Sequence, residues 1–145
     1  MSAAVKKSGS AGSLKGLTRV GLGVEDVPGG LRDEGLTDDE VRQIARDRLS
    51  GSVQLLSPTG ALHLSGTPTL GLEIAPAESE QGPFAYTVSL ELVQGVSVKR
   101  IREEDAKRVK APTWRAQSVL PAGDLASLRE AIGAVADAFA EDLSE

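Results

Sequence analysis

The longest regular pattern in the chain runs from Phe84 to Val98. Phe84, Tyr86, Val88, Leu90, Leu92, Val96 and Val98 share one parity, and Thr87, Ser89, Glu91, Ser97 and Lys99 the other. A period of two over this length predicts a strand with one apolar face. At about 3.3 Å per residue it would extend to roughly 50 Å, more than a small domain covers, so a bend or bulge near Gly95, or an end that projects from the body, is expected. Shorter alternations predict strands at Val20 to Glu25 and Leu70 to Ile74, with a brief one in "SVQLL". The "APTWRAQSVLPAG" stretch predicts a returning strand over Trp114 to Val119.

Two segments change the period to that of a helix. In "GLTDDEVRQIARDRLSG", Thr37 is an N-cap, Glu40 is placed to reach back to the Thr37 amide, and Leu36 and Val41 form a hydrophobic staple. Val41, Ile44, Ala45 and Leu49 then make one apolar stripe, so a helix is predicted over Thr37 to Ser50. A second and longer helix is predicted over Asp124 to Leu143, with Leu125, Leu128, Ile132, Val135, Phe139 and Leu143 at helical spacing. Its stripe spans fewer than three heptads among small alanines, which favours packing on the protein's own sheet over a coiled coil. The predicted fold class is α+β: a single, mostly antiparallel sheet of 4–5 strands with two helices on its apolar face and a polar face toward water. Residues 1–13, small and rich in Gly and Ser, read as a flexible arm or an added linker, and 14–145 as one domain.

Composition removes several chemistries. The 145 residues include no cysteine, hence no disulfide, thiolate nucleophile or Cys-ligated zinc. The single histidine, His63, lies in "GALHLSG" with no acidic partner nearby in sequence, so no His-rich metal site is expected. The acids of "TDDE" are each explained by a helix start, and "GLG" before Glu25 and Asp26 would repel a pyrophosphate and lacks a third glycine. Glu25 and Asp26, adjacent on a strand, point to opposite faces and cannot share a substrate. No catalytic residue, metal or cofactor is assigned. The net charge of −5 argues against general nucleic-acid binding. No segment approaches the ~20 apolar residues of a membrane span, and no secretory signal is intact, which places the chain in the cytoplasm as it stands, or in the periplasm if a native leader was removed.

The run "KRIREEDAKRVK" mixes both signs and reads as a solvated hairpin tip. Trp114 beside Pro112 reads first as core or edge packing, and second as an anchor for a partner.

The segments "GLTRVGLGVEDV", "EGLTDDEVRQIARDRL", "LELVQGVSVKR" and "APTW", followed by a helix ending in "FAEDL", resemble a family of small, often exported bacterial α+β proteins. The strand and helix order is also similar to that of envelope auxiliary proteins, such as small lipoproteins that accompany transporters. None of the shared motifs is catalytic. The resemblance implies an accessory or assembly role, although this chain lacks the signal and the lipidated cysteine of the exported pattern. The expectation is a non-enzymatic module that binds a protein partner or larger assembly through its long strand and sheet edge. The surface assigned to it comprises Gln94, Val96, Val98, Arg100, Arg102, Lys107, Arg108 and Trp114. The alternative is a protein that binds a small ligand or lipid in an apolar cavity between sheet and helices.

Overall fold

The computed structural model describes residues 5–9, 11–56, 67–80, 82–98 and 107–144. In chain order these form β1 (Lys6–Gly9), a 3-10 turn (Ala11–Leu14), β2 (Arg19–Val24), α1 (Gly29–Asp33), α2 (Asp38–Leu49), β3 (Gln54–Leu56), β4 (Thr69–Ser79), β5 (Gly82–Val98), β6 (Lys107–Pro121) and α3 (Leu125–Leu143). His63 lies outside the described residues.

One sheet holds all six strands in the order β1-β6-β5-β4-β2-β3. Its centre is an antiparallel meander of β4, β5 and β6, because short connections between consecutive strands reverse the chain. The sheet is larger and more mixed than predicted. After β2 the chain crosses over through α2 and returns in the same direction, so β3 pairs with β2 in parallel; β4 joins the other side of β2, also in parallel. The expected flexible arm over 1–13 does not hold for residues 6–9. Lys6 lies opposite Gln117 and Gly9 opposite Trp114, so β1 closes one edge of the sheet. The expected loop in "VPGGLRDEG" contains the five-residue α1, anchored by buried Leu31.

The alternation in the sequence becomes the two faces of this sheet. Leu70, Leu72 and Ile74 lie opposite Leu92, Leu90 and Val88, which lie opposite Trp114, Ala116 and Ser118; all are buried. α3 covers β5 and β6, α2 covers β2 and β3, and the two helices pack side by side. Leu128, Ile132, Val135 and Phe139 of α3 meet Val41, Ala45 and Leu49 of α2 in the same core. Arg129 to Glu40 and Arg48 to Asp137 bridge the helix pair. Among the described residues no helix covers the other face, which carries Thr87, Ser89, Gln117, the ion pair of Glu91 with Arg115, and Val119, 63% exposed. Among the described residues, no helix is long and apolar enough to cross a membrane.

The helix starts follow their sequence signals, with one change. Thr37 Oγ1 accepts from the Glu40 amide at 3.1 Å, and Leu36 and Val41 are fully buried as a staple requires. The Glu40 carboxylate does not return to Thr37; it accepts from Arg129 of α3. A guanidinium offers a charge-assisted bond that a single amide does not match.

Candidate protein-interaction surface

Among the described residues, β5 and β6 run further than the strands beside them. On one side, β4 accompanies β5 only as far as Thr69 opposite Val93; on the other, β1 accompanies β6 only as far as Gly9 opposite Trp114. Past those points the pair continues as Gln94 with Ala111, Gly95 with Lys110, Val96 with Val109, Ser97 with Arg108 and Val98 with Lys107. Among the described residues, five residue pairs thus form a two-stranded ribbon beyond the ends of β1 and β4.

A bulge marks where the ribbon departs. Leu92 pairs with Trp114 and Val93 with Pro112, which leaves Thr113 as the extra residue on β6. The expected irregularity is therefore two to three residues nearer the body than Gly95. Pro112 is exposed, and proline within a sheet is confined to edges and bulges because it brings no N–H to the ladder. Thr113 Oγ1 donates to Gln94 Oε1 at 2.9 Å and ties the two strands together at this base.

The body side of the bulge is pinned by Trp114. Its ring is 2% exposed and meets Phe139 edge-on, with centroids 5.2 Å apart and planes at 77°. Its Nε1–H donates to Asp142 Oδ2 at 2.8 Å, while Lys7 Nζ donates to Asp142 Oδ1, also at 2.8 Å. Trp114 is therefore a core residue and not part of the surface. A ring of this size beside Pro112 turns inward, because α3 offers both an aromatic neighbour and an acceptor for the indole. Gly9 closes the arrangement at φ +91°, where a Cβ would collide with the Thr113 carbonyl. β1 can cross the bulge this closely only with glycine there.

Of the other residues predicted for the surface, Gln94 lies half-buried at the ribbon base, and Val96, Val98, Lys107 and Arg108 occupy ribbon positions. Arg100 and Arg102, with the rest of the charged tip over 99–106, lie outside the described residues. Sequence reasoning missed Lys110 as a ribbon residue and Pro112–Thr113 as its base. The proline in "APTW" was the available signal.

Two further carboxylates illustrate how acids are used in this fold. A hydrogen bond from the Val27 amide, with Arg32 beside it, holds Asp38 below its ordinary carboxylate range; burial opposes this without prevailing. Asp124, the N-cap of α3, is lowered by the Ser127 hydroxyl and then by the Ser127 amide. Asp39 pairs with Arg42 at 2.9 Å. Each acid of the α2 start thus has a protein partner, and among the described residues no group of three or more acids and imidazoles is arranged to hold a metal. A depression of about 310 Å³ lined by Arg32, Thr37, Asp38 and Asp39 lies at this helix start, away from the interface between sheet and helices.

No family model matches the chain, and no curated protein matches it in sequence. The fold is similar to that of the PelC dodecamer from Paraburkholderia phytofirmans in two solved structures, one of them a point variant. Identities are 15% and 14%, and each match covers 94% of this chain and 96% of that chain at a TM-score of 0.52. Rare lipoprotein B from Shewanella oneidensis is a looser match, with 15% identity, 88% of this chain and 94% of that chain covered, and a TM-score of 0.34.

Proposed function

We propose that the protein is a non-enzymatic interaction module or accessory subunit that holds a protein partner through the β5–β6 ribbon. One observation carries this reading: five residue pairs beyond the bulge pair with each other and, among the described residues, with no further strand from Gly95 to Val98 or from Lys107 to Ala111. An isolated two-stranded ribbon is marginal in water, and its open edges are templates for another chain. The use of the PelC fold in a dodecamer accords with a role in an assembly.

The test removes Gly95 to Lys110 and joins Gln94 to Ala111 through an Asn-Gly turn, which suits a two-residue hairpin connection. Every core residue among the described side chains remains. The shortened protein should keep its circular-dichroism spectrum and unfolding midpoint and should lose the proteins that the intact chain captures from its native lysate. Undiminished capture by the folded, shortened protein overturns the reading.

A further inference from the structure

We propose that the outer edge of β6 from Lys107 to Ala111 receives an extended, acidic segment of a protein partner as an added strand. This rests on the ribbon being the partner surface and names the chemistry of what it holds. The same edge already accepts a strand where it runs along the body: β1 pairs antiparallel with Trp114 to Gln117. Beyond Trp114 the edge continues into the ribbon, where no described strand pairs with it. Its backbone donors and acceptors recur along the strand at the spacing that another polypeptide backbone matches.

Charge selects the occupant. Lys107, Arg108 and Lys110 fall within four residues and include no acid among them, although the chain as a whole carries −5. Cations on an edge strand oppose pairing with an identical edge, so a second copy joined through this segment meets like charge. An acidic strand meets opposite charge across the pair, and such cross-strand contacts are favourable. A nucleic acid has the right charge but no peptide ladder, and the acidic remainder of the protein repels it. Pro112 and the Thr113 bulge separate this segment from the part of the edge that β1 covers.

The experiment is amide exchange measured residue by residue on the full chain. It uses millimolar synthetic peptides of alternating Glu and Val, the same peptide N-methylated along one edge, alternating Lys and Val, and poly-uridylate. The unmodified acidic peptide should slow exchange within Lys107 to Ala111 by about tenfold or more, and the other three should not. Arg108→Glu combined with Lys110→Glu, two positions of one strand face, should transfer the protection to the Lys-Val peptide. An unchanged circular-dichroism spectrum will verify the fold of this variant. Equal protection by the N-methylated peptide, protection by poly-uridylate instead, or none with any peptide overturns strand addition. If ribbon deletion abolishes capture while the acidic peptide leaves exchange unchanged, the ribbon reading stands and this inference fails. If the peptide protects but capture survives the deletion, the ribbon reading fails instead.

Discussion

Asp142 is buried, and burial by itself would raise its carboxyl. The hydrogen bonds from Lys7 and then Trp114, with the Lys7 charge, outweigh that effect and hold it below 3.8. A group depressed in the folded state contributes stability that is fully present above its unfolded value and is lost as pH falls through the lower folded value. Asp142→Asn should therefore be less stable than the parent at neutral pH, and the difference should shrink below about pH 4 as the parent's own carboxylate is protonated. Emission from Trp114, the single tryptophan, reports both unfolding curves. A difference that stays constant down to about pH 2 would show that the charge of Asp142 contributes nothing to folding. Trp114→Phe isolates the indole bond. It keeps an aromatic ring against Phe139 but leaves Asp142 Oδ2 without its buried donor, and the expected cost is about 2 kcal/mol in urea unfolding followed by circular dichroism. The indole's direction was not legible in the sequence: "APTW" shows a large ring near an edge, whereas its acceptor lies 28 residues downstream.

At the scale of elements, the two helices could be read almost to their ends because their signals are local. Thr37 and Asp124 cap them through side chains that accept from residues three positions on, and periodicity fixes the buried stripe. Thr37→Ala should cost about 1 kcal/mol, seen as a lower urea midpoint with an unchanged slope. Gly133 offers a test of opposite sign. It sits in α3 where an added Cβ would come within 3.2 Å of the Arg48 guanidinium, the far end of a flexible side chain that is 51% exposed and paired with Asp137. Arg48 can yield, and its exposed pair with Asp137 is worth little, so the gain in helix propensity should prevail. Gly133→Ala is expected to stabilise by about 0.5 kcal/mol in the same assay; a loss would show that Arg48 is held more firmly than its exposure implies. Strand direction and β1 were less legible. Period two is the same for parallel and antiparallel strands, and the crossover through α2 decides which forms. "KKSG" has no alternation, and becomes a strand because the β6 edge and Asp142 receive it.

For the whole molecule, the length of the Phe84–Val98 alternation announced that β5 would outrun its neighbours, but that β6 begins at Lys107 and not near Trp114 was not legible, because Lys107 to Lys110 lie in a charged run without alternation. Nor was the side that remains open, since that depends on where β1 and β4 stop. β1 also protects the part of the edge it covers. Removing residues 1–9 should uncover Trp114 to Gln117 as a template for other chains. Sedimentation velocity should then show association that grows with concentration, accompanied by a lower unfolding midpoint from loss of Lys7. A monomer of unchanged stability would show β1 to be dispensable. The separation of Lys7 from Asp142 has a temporal meaning as well. The two are 135 residues apart, whereas β4, β5 and β6 pair with neighbours in sequence. Hairpins of adjacent strands close early and distant contacts late. On the ribosome, β1 emerges before β6 and α3 and must wait for the end of α3 before its lysine has Asp142 to meet. Through that interval the β6 edge beside Trp114 stands open, and the growing chain is most exposed to a wrong partner just before synthesis of this segment is complete.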